Sequence, residues 1–303
     1  MKHLLIAFTA AVALLVVAGS AMADWNVGDP YKMHWPQLPD LQTGLDVLAT
    51  TFPHAAAPWG KVLADDFKCT QTGQITDIHI WGSWLNDFFP QNYDPESGQL
   101  RPDPGHVAFR LSLHANVPDV DGPTGPDFSK PGEELWSGWF GPDQFRWRGP
   151  ATATEGFMDP NIPPGQNQII GFDRQVFQYN FYPDPLDPRL KQEAGTIYWL
   201  DVTAIPLGLP DGPGSEALFG WKTTRPELHY EDDAVYGHMT LDALGNWVAV
   251  GDWKPLVYPL NHPYEGHTMD MAFVITPEPG TVVMLIGAGL MGLVAYARRR
   301  RMR

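Results

Sequence analysis

Residues 107–115 read Val-Ala-Phe-Arg-Leu-Ser-Leu-His-Ala, and the side chains alternate with the period of a strand. Phe109, Leu111 and Leu113 fall on one face, for the interior, while Arg110, Ser112 and His114 fall on the other, for solvent. The same period recurs on both sides of this stretch. In residues 75–84, Ile78 and Ile80 oppose Asp77, His79 and Trp81; in residues 176–182, Phe177, Tyr179 and Phe181 oppose Gln178 and Asn180. Residues 196–205 (TIYWLDVTAI) are apolar on both faces except at Asp201 and Thr203, the pattern of a central strand. Residues 219–223 and 269–275, the latter with Met271, Phe273 and Ile275 on one face, bring the list to six strands, and 134–140 and 247–253 add two more.

What separates these runs rules out long helices. All 30 prolines lie within residues 24–279, and an interior proline costs a helix about 3 kcal/mol. The joints at 91–106, 116–132, 149–165, 183–188 and 208–215 are rich in Gly, Pro and Asp and read as loops. Many strands without βα alternation predict an all-β fold, an antiparallel β-sandwich or jelly roll. No composition shift divides residues 24–276, so they read as one domain. The 12 tryptophans, 15 phenylalanines and 10 tyrosines supply the bulk that a disordered chain lacks.

The two ends read as addresses. Lys2 and His3 precede an apolar run over residues 4–17, Gly19-Ser20 break it, and Ala21-Met22-Ala23 gives the small-x-small pattern of a signal peptidase site before Asp24. At the other end Pro277-Glu278-Pro279-Gly280 precedes an uncharged run over 281–297, and Arg298, Arg299, Arg300, Arg301 and Arg303 follow. That run reads as a transmembrane helix with its arginines on the cytoplasmic side. Pro-Glu-Pro, an apolar helix and an arginine cluster in that order resemble the PEP-CTERM sorting signal of Gram-negative bacteria. The resemblance implies export, transient anchoring in the inner membrane, processing by an exosortase-type enzyme near Pro279, and a final place at the cell surface or in the extracellular matrix. The expected parts are a signal peptide over 1–23, the domain over 24–276 and a sorting signal over 277–303.

Several strings inside the domain carry a second resemblance. They are Leu63-Ala-Asp-Asp-Phe-Lys-Cys-Thr70, Ile75-Thr-Asp-Ile-His-Ile-Trp-Gly-Ser-Trp84, Tyr198-Trp-Leu-Asp-Val202, Phe219-Gly-Trp-Lys222 and Met271-Ala-Phe-Val-Ile-Thr276. Together they are similar to an uncharacterised extracellular domain that stands in front of PEP-CTERM tails. That family brings no catalytic residue with it.

Charge and cysteine count narrow the function. The chain has 20 basic and 35 acidic residues and one cysteine. A net charge of −15 excludes a nucleic-acid partner, which needs a basic surface, and a lone Cys69 forms no intrachain disulfide. Without Lys2 and the five tail arginines, residues 24–279 keep 14 basic against 35 acidic residues, a net −21.

Candidate sites follow from residue types. Asp65 and Asp66, expected at a strand start, are a calcium candidate or a backbone-capping turn, as is the run Glu231-Asp232-Asp233. Asp119-Val-Asp121-Gly122 opens like an EF-hand loop, but Lys130 stands where a bidentate Glu is required. His262-Pro-Tyr-Glu265-Gly-His267 offers three ligands, yet Pro263 and Gly266 disfavour the helix of a zincin, so it reads as a polar loop. If their strands are neighbours, Asp77, His79, Trp81, Arg110 and His114 line one sheet face suited to an extracellular polysaccharide; the competing reading is an ordinary covered or solvated face. No Gly-x-Ser-x-Gly or phosphate loop is present, and no cofactor is called for beyond that calcium. The expected role is non-catalytic: structural, adhesive or glycan-binding. The alternative is a secreted carbohydrate-active hydrolase using a carboxylate pair.

Overall fold

In the computed structural model, residues 24–52, 59–120, 128–208 and 217–277 are described, with Trp59 by its backbone alone. The strands in chain order are β1 (Leu45–Leu48), β2 (Thr51–Phe52), β3 (Trp59–Lys68), β4 (Gly73–Trp84), β5 (Gln91–Asp94), β6 (Gln99–Pro102), β7 (Val107–Val117), β8 (Lys130–Phe140) and β9 (Phe145–Met158). They continue with β10 (Ile169–Phe181), β11 (Lys191–Gln192), β12 (Ile197–Pro206), β13 (Phe219–Lys222), β14 (Val235–Leu241), β15 (Trp247–Ala249), β16 (Lys254–Pro255) and β17 (Phe273–Pro277). Among the described residues the helical segments are single 3₁₀ turns, and no helix is long and apolar enough to cross a membrane. The leader and all of the tail beyond Pro277 lie outside the described residues. Pro277 itself ends β17, in register with Ile75.

Two sheets carry the fold. One runs β10-β9-β1-β13-β4-β11 with β17 also on β4; the other runs β15-β14-β3-β12-β7-β8, with β2 on β3 and β16 on β14. Strands β5 and β6 form a separate hairpin. Strand pairing is antiparallel except between β1 and β9, so the sandwich expected from the alternation is present. The first sheet has a feature that alternation does not announce. Strand β10 pairs with β9 on one edge and β4 on the other, so β10-β9-β1-β13-β4 closes on itself as a five-strand ring.

The inward faces meet as the period-two pattern requires. Phe109 of β7 packs on Tyr179 and Phe181 of β10 and on Phe219 of β13, with ring centroids 5.0, 5.2 and 5.1 Å apart, mostly edge to face. Trp84 and Tyr179 are fully buried, and each polar tip is satisfied: Trp84 Nε1 donates to Tyr179 Oη at 3.0 Å, which donates to the Pro104 carbonyl at 3.1 Å. The other face of the second sheet is buried too. Val62, Ala64, Trp199, Val235 and Met239 pack there under Trp247 and Trp253.

Four local expectations are corrected. Residues 91–106 are not a plain loop, since they carry the β5–β6 hairpin. The polar face of residues 107–115 does not meet solvent, because Arg110, Ser112 and His114 are at most 5 % exposed. Residues 149–165 are not one loop, since 149–158 complete the 14-residue β9. That strand accommodates Gly149 at φ +137° and a cis Gly149–Pro150 bond where its register with β10 slips. Asp65 and Asp66 lie within β3, not at its start.

Residues 30–277 belong to one compact unit, and Asp24–Asp29 fall outside it. There Asn26 N donates to Asp29 Oδ2 at 2.8 Å, closing a tight turn.

Candidate functional site

The five residues expected to share a face are divided between the sheets. Asp77, His79 and Trp81 stand on β4 in the first, Arg110 and His114 on β7 in the second. The first three nevertheless belong to a built surface. Register aligns Trp81 with Gln178 of β10 and Gln178 with Arg148 of β9, while His79, Asn180 and Arg146 form the next row. His79 Nδ1 meets Asn180 Oδ1 at 2.7 Å, both fully buried, and Arg148 Nε donates to Gln178 Oε1. Trp81 and Arg148 are half-buried and Arg146 is exposed, and Trp81 shares its face of β4 with the buried His79 and Ser83. Burial raises Asp77 to about 6 against hydrogen bonds from Thr276 and Thr76.

Arg110 and His114 enter a closed network instead. Arg110 pairs with Glu134 and donates to Ser112 Oγ at 2.9 Å. His114 Nε2 lies 3.0 Å from Asp201 Oδ2 and 3.3 Å from Ser112 Oγ, and its Nδ1 is 3.0 Å from the Gly132 carbonyl. Ser, His and Asp are thus in contact, but not as a nucleophilic triad. A triad puts the carboxylate on one ring nitrogen and the hydroxyl on the other, whereas both approach Nε2 here. Burial alone would lower the His114 imidazole; the Asp201 carboxylate overrides it and lifts the group to about 9. A ring with acceptors at both nitrogens is an imidazolium.

Asp65 and Asp66 are fully buried on opposite sides of β3. Asp65 Oδ2 accepts from Met271 N at 2.6 Å and from Gln37 Nε2 at 3.2 Å, and the same Gln37 amide reaches Asp270 Oδ2 at 3.0 Å. Asp66 has neither oxygen hydrogen-bonded. Acceptor atoms of His229, Asp233 and Asp270 lie within 4.8 Å of one another. Burial first, and neighbouring carboxylates second, push Asp65 and Asp66 well above the usual range, while burial lowers His229 to about 4. A neutral imidazole beside crowded carboxyls can hold a hard cation or share protons. The sequence pair therefore belongs to a larger set, with His229, Asp233 and Asp270 brought from far along the chain.

The motif at 262–267 is a self-bonded loop. His262 stacks on Tyr258 with centroids 4.4 Å apart and bonds the Thr43 carbonyl at 2.7 Å, and Glu265 Oε2 accepts from Asn261 N. It borders a groove of about 210 Å³ lined by Gln168, Tyr236, Tyr258, Leu260 and Glu265, below the roughly 300–1,000 Å³ of small-molecule sites.

One assembly had no signal in sequence spacing. Asp46 of β1, Glu155 of β9 and Asp173 of β10 bring carboxylate oxygens within 4.8 Å of one another, and Lys222 of β13 meets Asp46 and Glu155. Ser83 of β4 lies beside Asp46 and Asp173. Each strand of the ring contributes one of these residues, and none is more than 4 % exposed. The only trace in the sequence is a charge inside two apolar runs, Leu-Asp-Val-Leu and Phe-Gly-Trp-Lys.

Comparison with known proteins adds two matches. A model for a domain of unknown function, DUF7901, matches residues 33–276, and a PEP-CTERM protein-sorting motif matches residues 276–301. No curated protein and no solved structure matches the chain. The motif marks an exported protein that an exosortase-type enzyme processes, membrane-associated first and surface-bound afterwards.

Proposed function

We propose, for a chain that belongs to the DUF7901 family and is exported through a PEP-CTERM motif, a non-catalytic adhesive role: it holds extracellular polysaccharide at the cell surface through the Trp81 face. The observation that carries this reading is the register row Trp81–Gln178–Arg148, with Arg146 beside it. An indole offers a flat apolar surface to a sugar ring, and guanidinium groups bind carboxylate or sulfate in a fork. A glycan bearing such groups fits best. In this reading residues 1–23 are removed after Ala23 by signal peptidase, 24–276 form the working domain, and Pro277, Glu278, Pro279 and Arg298–Arg301 serve sorting.

A hydrolase needs two carboxyls facing across the substrate. In the groove beside residues 262–267 the one acid is Glu265, already engaged by Asn261 N, so that groove offers no facing pair. The test is a polysaccharide panel against the purified full chain, read for both binding and chain shortening. Salt-sensitive binding to an acidic polysaccharide without shortening is expected, weakened about tenfold, or about 1.4 kcal/mol, in Trp81→Ala. Shortening of any polymer, or binding indifferent to Trp81, overturns the reading.

A further inference from the structure

Lys222, Asp46, Glu155 and Asp173 meet inside the five-strand ring with fewer hydrogen bonds than such burial demands. Lys222 Nζ touches Glu155 Oε2 and lies 3.6 Å from Asp46 Oδ2. Yet the Lys222–Glu155 contact lacks the geometry of a good hydrogen bond, and only Ser83, Lys222 and Asp173 stand within reach of Asp46. Buried polar atoms in folded proteins are nearly always satisfied, so such a shortfall calls for an explanation. A divalent cation does not supply it, because Lys222 Nζ already touches Glu155 and stands beside Asp46, where such an ion would need to sit. A permanent ion pair does not either, because desolvating both ions is costly unless the remaining donors and acceptors are matched.

The geometry points to a covalent cross-link: an amide between Nζ of Lys222 and Cδ of Glu155, tying β13 to β9 across β1. The step balances within the cluster. The Lys222 ammonium passes a proton to the Asp46 carboxylate, and the freed lone pair adds to Cδ of Glu155 in its carboxylic acid form. The Cδ–OH bond then breaks, the hydroxyl takes a second proton from Nζ and leaves as water, and Nζ keeps one hydrogen as the amide N–H. One positive and one negative charge disappear, and Asp46 ends protonated. Asp173, directly opposite Glu155 in the β9–β10 register, donates a hydrogen bond to the developing oxyanion.

The surroundings favour each part of this step. Burial, against the pull of Lys222, pushes Glu155 to about 8, and burial with the Asp46 charge pushes Asp173 to about 9, so both hold their protons at neutral pH. In water an amine and an acid are kept apart by ionisation; in a dry ring the ions are the disfavoured state. Nucleophile and electrophile are held in contact by three strands, which removes the entropic part of the barrier. Two glycines keep the space open. A Cβ at Gly44 would stand 2.7 Å from Lys222 Nζ, and one at Gly220 would stand 2.9 Å from Asp46 Cβ and 2.7 Å from the Phe157 ring. An amide needs no oxidant, which suits an exported chain whose only cysteine is Cys69.

The test is a tryptic map of the purified, denatured full chain, and it is independent of any glycan. The expected result is resistance to cleavage after Lys222 and a branched peptide joining the Lys222 and Glu155 segments, lighter than their sum by one water. Lys222→Arg abolishes the branch, and Asp46→Asn or Asp173→Asn lowers the branched fraction. Should these variants fail to fold, the wild-type map decides alone. Cleavage after Lys222 with unmodified linear peptides overturns the cross-link and leaves the surface role untouched.

Discussion

His114 shows how one buried residue sets a pH response. Its folded-state value, about 9, is above the ordinary 6.5, so the folded chain holds a proton that the unfolded chain releases. The stability this confers is fully present below about pH 6.5 and is lost as pH rises through about 9. Asp173, raised to about 9, acts in the same direction, since a folded carboxyl that keeps its proton loses stability as pH rises. The melting temperature should therefore fall between about pH 6.5 and about pH 8, with His114 alone contributing roughly 2 kcal/mol of loss. Asp201→Asn removes the partner of the imidazolium, so melting curves of that variant should lose most of the His114 share of the slope. The set around Asp65 and Asp66 yields a second expectation at this scale. Calcium should raise the melting temperature and a chelator reverse it, more strongly at higher pH where less proton must be displaced; a melting curve indifferent to both means that these carboxyls share protons only.

At the scale of elements, the strands that alternate cleanly are the ones the sequence announces. Strands β4, β7 and β10 follow their period-two runs because one face of each meets the opposite sheet, and β12 follows its two-faced apolar run because both of its faces are buried. Strand β9 is not announced, because Gly149-Pro150 and the small residues that follow read as a loop. Pairing with β10, whose register shifts at Gly149-Pro150 and twice more towards Met158, holds it extended. The polar residues of β7 were legible as a face but not as a buried one. Whether an outer face is wet depends on distant residues such as Glu134, Asp201 and Gly132, which no local pattern reveals. The same holds for the candidate site: Trp81 and His79 stand out in their own strand, whereas Gln178, Asn180 and the two arginines join them only through pairing. Phe109 is the element-scale test of the core. Phe109→Ala removes a ring touching β10, β9 and β13 at once, and chemical denaturation should show a loss of about 3–5 kcal/mol.

For the whole molecule, address and work are separate. The basic residues of the two ends mask the charge of the part between them, and residues 24–279 carry a net −21. Arg146 and Arg148 stand in the rows of Trp81 and His79, where an anionic polymer would meet them. Deleting residues 277–303 should leave the domain folded, as judged by its melting curve, but remove it from the cell surface.

The most direct measurement follows the full-length protein in cells that make their own matrix, comparing wild type with Trp81→Ala/Arg148→Ala. Both carry the same tail, so both should be processed equally. Wild type should stay with the matrix at the cell surface while the double variant, equally folded, should appear in the medium. Equal retention of the two would contradict matrix binding through the Trp81 face.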